Sequence, residues 1–143
     1  RPAASAALLL ALACALPQTA ATGAGEGACT EETGHFLTRN DTVKIATRTW
    51  RATAEPPKGL VLICHGFTWH SGWFAPLAHR LAAEGFVVSA LDLQGHGRSD
   101  DYKGVRGYAE RFSDLVDDLE TFVKATVQRE LGGGGGSTFL LGE

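Results

Sequence analysis

From Gly34 onward the chain carries a rhythm of apolar and polar positions whose period changes from segment to segment. "TVKIATRTW" alternates, with Val43, Ile45 and Thr47 set against Lys44, Ala46 and Arg48, which predicts a strand with one wet face. "AEPPKG" reads as a turn. "LVLIC", Leu60 to Cys64, is an unbroken apolar run between Gly59 and Gly66 and predicts a strand buried on both faces. Leu77, Ala78, Leu81 and Ala82 then form a helical stripe. Pro76 is tolerated only in a first turn, so this helix is expected to begin near Trp73 or Phe74. Gly85 stands where a left-handed residue would end it. "FVVSALDL" is a second buried strand. "RFSDLVDDLETFVKATVQREL" predicts the longest helix, with Phe112, Leu115, Val116, Leu119, Phe122 and Val123 on one face and Asp114, Asp117, Asp118 and Glu120 mostly off it. Its acids gather toward the N-terminal half and Lys124 and Arg129 toward the end, which suits the helix dipole. After the glycines Gly132 to Gly136, Thr138 to Leu141 is a last short apolar strand, broken by Gly142 and Glu143.

Strand, helix, strand, helix, strand, with apolar strands throughout, predicts an α/β architecture with a parallel sheet and right-handed crossovers. Function in such sheets sits beyond the carboxyl ends of the strands. Three stretches occupy those places: "HGFTWHSGW", "LQGHGRSD" and the final "GE".

Composition narrows the classes. At 143 residues the chain holds at most one ordinary domain, and a net charge of -3 provides no basic field for nucleic acid. No run approaches 18 large apolar residues, so a membrane-spanning helix is not expected. Residues 1–27 are of a different kind, rich in Ala and Leu, with Glu26 the first acid. Arg1, the apolar run to Leu16 and the small residues after Pro17 match a secretory signal peptide, with "ACA" or "QTA" as cleavage contexts; a disordered Ala-rich tail is the alternative. On either reading the segment lies outside the fold. The secretory pathway is therefore one expected location, and the cytoplasm or a membrane surface the other. Cys14, Cys29 and Cys64 are odd in number and form no CxxC pair, so neither a zinc knuckle nor a redox pair is supported. Cys64, inside an apolar strand, reads as a small hydrophobe.

The candidate chemistry lies at the strand ends. Gly66 directly follows a buried strand and leaves backbone N–H groups uncovered by a side chain. Such amides can stabilise a developing oxyanion by about 2.7–4 kcal/mol per donor. His65 could be a general base, but a His at a strand end before Gly more often braces its own loop. His70 and His79 are at no common metal spacing. "GHG" invites a dinucleotide reading, which fails because Asp100 stands where the third Gly is needed and "DYKGVRGY" opens no helix. Arg98 and Asp100 read as local salt-bridge and capping residues. The polyglycine run is not followed by Gly-Lys-Ser/Thr, so it is a loop and not a phosphate cradle.

Taken in order, "GLVLICHGFTWHSGWFAPLAHRLAAEGFVVSALDLQGHGRSD", "DLVDDLETFV" and "FLLGE" resemble the α/β-hydrolase fold, and within it the monoacylglycerol lipase/lysophospholipase group, especially its plant-type members. "GHFLTRNDTVKIATRTW" also resembles that group's opening hairpin. The resemblance covers about residues 34–143.

The resemblance implies the N-terminal half of a mostly parallel, doubly wound sheet, cut before the nucleophile. It implies that the Phe67 backbone N–H is an oxyanion-hole donor, with His65 and Gly66 shaping its loop. Gly142 and Glu143 would begin the nucleophile elbow Gly-x-Ser-x-Gly, with the Ser expected directly after Glu143. The acid and His of the triad would lie beyond later strands. None of His35, His65, His70, His79 and His96 is then the catalytic base, nor Asp92, Asp100 or Asp117 its acidic partner. The implied activity is serine ester hydrolysis on monoacylglycerols or lysophospholipids, with no metal or organic cofactor and with peripheral membrane contact through a cap outside this chain. A small-molecule (phenolic) ester is the rival substrate, and a non-catalytic binding protein on the same fold is the rival class.

Overall fold

The computed structural model describes residues 29–38, 42–53, 55–132 and 136–143. The leader and its cleavage contexts lie outside the described residues. Five strands form one sheet in the order β1-β2-β4-β3-β5: β1 (Cys29–Thr38), β2 (Val43–Ala52), β3 (Gly59–Cys64), β4 (Phe86–Leu91) and β5 (Thr138–Gly142). β1 and β2 form an antiparallel hairpin, β2 runs antiparallel to β4, and β4, β3 and β5 are mutually parallel. The helices are α1 (Ala75–Ala83), entered through a short 3₁₀ turn at Ser71–Phe74, and α2 (Phe112–Leu131).

Each face of the sheet has its own core. Trp50, Val61, Ile63, Val88 and Ala90 pack under Ala78, Leu81 and Ala82 of α1. Val43, Ile45, Leu60, Leu62, Val87 and Leu91 pack under Phe122 of α2. The alternation of strands β3 and β4 between two apolar faces is why their sequences read as unbroken apolar runs. Pro76 sits in the first turn of α1, as its fixed φ requires, and Gly85 follows the helix at φ +93, donating to the Ala82 carbonyl at 2.9 Å.

Two readings of the pattern need correction. β2 has no fully wet face, because Ala46 and Trp50 on its Lys44/Arg48 side are buried. Trp50 reaches the α1 core, and its indole N–H donates to Glu31 of β1 at 3.1 Å. In α2 the buried stripe is Asp114, Asp118, Phe122 and Thr126, while Phe112 and Val116 are exposed. The helix is rotated from its most apolar face because its first turn is polar on the inside. Asp114 accepts from the Arg111 N–H at 3.1 Å and pairs with its guanidinium at 3.0 Å, capping the helix. At the other end Glu130 takes Arg51 of β2 in a two-pronged ion pair.

Among the described residues β5 pairs on one side only, with β3, and Leu140 is 58% exposed. A short apolar strand with a free edge is an aggregation template. Residues 34–143 expressed alone are therefore expected to bind ANS and to melt without a sharp transition. A soluble monomer with one cooperative unfolding transition would contradict this architecture.

Candidate active site

In the parallel part of the sheet the strand ends are in register, Cys64 opposite both Leu91 and Gly142. The segments His65-Gly66-Phe67, Asp92 onward and Glu143 thus emerge side by side at one edge. The approach is close: a Cβ on Gly66 would lie 3.3 Å from the Glu143 carbonyl oxygen. Gly66 is not among the glycines at positive φ, so what it supplies is room for Glu143 and not a left-handed turn.

The Gly66 carbonyl is held from two directions. It accepts from His65 Nδ1 at 2.8 Å and from the Trp69 N–H at 3.2 Å. His65 Nε2 in turn accepts from the Leu93 N–H at 2.9 Å, which puts the single ring proton of the neutral imidazole on Nδ1. Burial pushes the His65 pKa below its ordinary value, outweighing the Gly66 bond and the nearby Asp92 charge that favour protonation. In a trans peptide the N–H points opposite to the preceding C=O. The Phe67 N–H is therefore turned away from His65 and Trp69, and among the described residues no group accepts from it. The Phe67 ring itself is 73% exposed and stands edge-on to His96 at 5.4 Å.

Two residues that pattern reasoning passed over hold this loop. Thr68 sits at φ +73, a conformation that opposes a β-branched side chain and costs about 1–3 kcal/mol. No sequence signal marks it. Asp92, 1% exposed, accepts from the Ser71 N–H at 2.6 Å and the Arg98 N–H at 2.9 Å, joining the loop after β3 to the loop after β4. Burial alone would raise the Asp92 carboxyl, but the Arg98 and Ser71 amides outweigh it and hold the group below its ordinary value. A lone acid closing an apolar run before a Gly-rich loop was the available clue.

The loop after β4 folds back along β2. Asp92 N–H donates to the Ala46 carbonyl, Asp100 N–H to the Lys44 carbonyl and Ala46 N–H to Ser99 Oγ, all at 2.8–2.9 Å. The partner of Asp100 is thus Lys44, at 3.6 Å, and not a neighbour within its own loop. The Arg98 guanidinium has no carboxylate partner among the described residues; the side chain lines a cleft instead. That cleft, about 580 Å³, is bounded chiefly by Phe67, Trp69, His70, Arg98, Arg106 and Gly107. His70 caps the 3₁₀ turn by accepting from the Gly72 N–H at 3.1 Å, His79 packs edge-on to Trp50 at 6.3 Å, and no metal-binding cluster exists among the described residues.

An uncommitted amide, an exposed aromatic and a strand end abutting them make a site that can polarise a carbonyl. The family model described as serine aminopeptidase, S33, matches residues 55–143, more than half of the chain and all three strand ends of this site. The chain belongs to that hydrolase family. It is 37% identical over 81 residues to a monoacylglycerol lipase of Mycolicibacterium smegmatis, covering 57% of this chain and 28% of the relative. It is 33% identical over 92 residues to human monoglyceride lipase, covering 64% of this chain and 27% of that protein. Among solved structures, a soluble variant of the Saccharomyces cerevisiae monoglyceride lipase in complex with a substrate analog superposes with a TM-score of 0.70 at 21% identity, over 87% of this chain and 39% of that one. That structure shows the fold: the five strands and two helices are the corresponding part of an α/β-hydrolase. The chain spans well under half the length of these three proteins. In this S33-family chain, Phe67 N–H, Gly66 and the Gly142-Glu143 strand end are brought together, while His35, on the exposed hairpin strand β1, is not part of the group.

Proposed function

We propose that this chain is the N-terminal part of a carboxylic ester hydrolase acting on monoacylglycerols or lysophospholipids, and that its nucleophilic Ser directly follows Glu143. One observation carries the reading. The Gly142-Glu143 strand end lies against Gly66, next to a Phe67 N–H from which no group accepts among the described residues. A Ser at the next position would emerge beside that amide. Its hydroxyl would attack the ester carbonyl, a His from outside this chain would take the proton, and the Phe67 N–H would receive the oxygen as it gains charge. The lipid preference leans on the names of the relatives at 33–37% identity. The leader, from its apolar run to Leu16 and the small residues after Pro17, is proposed to direct the protein into the secretory pathway.

The test is hydrolysis by the full-length protein of a monoacylglycerol, a lysophospholipid and a p-nitrophenyl acetate control. Release of fatty acid from either lipid ester faster than acetate release is expected. The 143-residue chain alone is expected to turn over none of them, since it holds an oxyanion donor and no nucleophile beside it. Turnover by the short chain would contradict the proposal, and acetate as the only substrate would favour the small-ester reading.

A further inference from the structure

The cleft beyond β3 and β4 combines two kinds of lining. One is aromatic: Phe67 and Trp69 are 73% and 40% exposed. Trp69 packs on Trp73 at 5.6 Å and on Phe74 at 5.9 Å, so an apolar row leads from the cleft outward. The other is cationic, formed by Arg48, Arg98 and Arg106. Two of these are already neutralised. Arg48 pairs with Glu31 at 2.9 Å, and Arg106 pairs with Asp101 at 3.0 Å and donates to the Gly97 carbonyl at 2.8 Å. Arg98 uses only its backbone N–H, and among the described residues its guanidinium has no acid partner. Asp92, the acid in the lining, is buried, and its two oxygens already accept from Ser71 and Arg98.

The cleft thus presents one uncommitted guanidinium beside an aromatic surface. A guanidinium fork matches the oxygens of a phosphate or carboxylate, and aromatic rings shelter a hydrocarbon chain. We propose that the cleft binds single-chain amphiphiles with an anionic head, and that Arg98 is the residue that selects the charge. The inference deepens the ester-hydrolase reading and rests on it for its meaning: among lipid esters, those carrying phosphate would be preferred to neutral acylglycerols. The same head chemistry exists in a released fatty acid, so the test separates the two.

Decyl phosphate, decanoate and decyl glycerol ether are titrated into the full-length protein below their micelle concentrations, with tryptophan fluorescence as the readout. Decyl phosphate is expected to bind at least about tenfold more tightly than the neutral ether, from one charge-assisted contact. Raising the salt should shrink that ratio. Arg98→Gln should bring the ratio below about twofold, Arg98→Lys should keep part of it, and Arg80→Gln, which removes an exposed charge on α1, should preserve it. Equal affinities in the unaltered protein, or the same loss from Arg80→Gln as from Arg98→Gln, would overturn the proposal. Decanoate binding as tightly as decyl phosphate would assign the cleft to released product and overturn the substrate preference. None of the probes is a carboxylic ester, so a protein that fails to hydrolyse lipid esters would sink the catalytic reading while leaving this comparison intact.

Discussion

Gly97→Ala in the full-length protein is expected to lose about 3–4 kcal/mol of stability, from a left-handed backbone penalty plus overpacking. Gly97 lies at φ +50, where an L side chain is strained. The added Cβ would also fall 2.3 Å from Asp92 Oδ2 and 2.8 Å from His70 Cβ. Neither neighbour can give way. The Asp92 carboxylate is fixed by two amides, and His70 is held as the cap of the 3₁₀ turn. The clash is therefore passed into both loops at once. Equilibrium denaturation checks the stability, and a loss below about 1 kcal/mol, ordinary for a surface site, would contradict the described packing.

Asp92→Asn is the second large effect. The amide keeps one acceptor oxygen but turns its NH₂ toward the other N–H donor, leaving a buried donor unpaired. A loss of about 2–3 kcal/mol at neutral pH is expected. The pH dependence identifies the cause. Asp92 is held below its ordinary 3.8, so the unfolded chain binds the proton first, and the stability Asp92 contributes is present above about 3.8 and lost as pH falls through the lower folded value. His65 is likewise held below its ordinary 6.5, so stability also declines as pH drops from 6.5 toward the folded value of that group. Denaturation measured from pH 8 downward should show both declines. Asp92→Asn should flatten the lower one and His65→Gln the upper one. A profile that Asp92→Asn leaves unchanged below pH 3.8 would show that the carboxylate is not charged and bonded as described.

The parallel part of the sheet was legible because β3 and β4 are apolar on both faces and their turns carry Gly and Pro at positions that demand them, whereas the first half of β1, before Gly34, is polar and exposed and carried no such signal. The starts of α1 and β4 followed from Pro76 and Gly85 for the same reason. The inward face of α2 was not legible. Local periodicity ranks Phe112 and Val116 as core, but the capping bond between Arg111 and Asp114 and the pair between Glu130 and Arg51 set the rotation of the helix. The latter is a contact across 79 residues that no window can register. At the site, His-Gly at a strand end was visible and the direction of the Phe67 N–H was not. That direction follows from two bonds to the Gly66 carbonyl, one from a ring whose tautomer is set by Leu93, on another strand's exit. Asp92 was visible as a charge after a buried run, but its partners come from two different loops.

The most direct measurement of the central claim is labelling of the full-length protein with a fluorophosphonate probe, followed by peptide mapping. The account predicts one label per chain, on a Ser immediately after Glu143, and no label on the 143-residue chain alone. Stoichiometric labelling at any residue of the short chain, or a full-length protein that takes up no probe while folded, would contradict it.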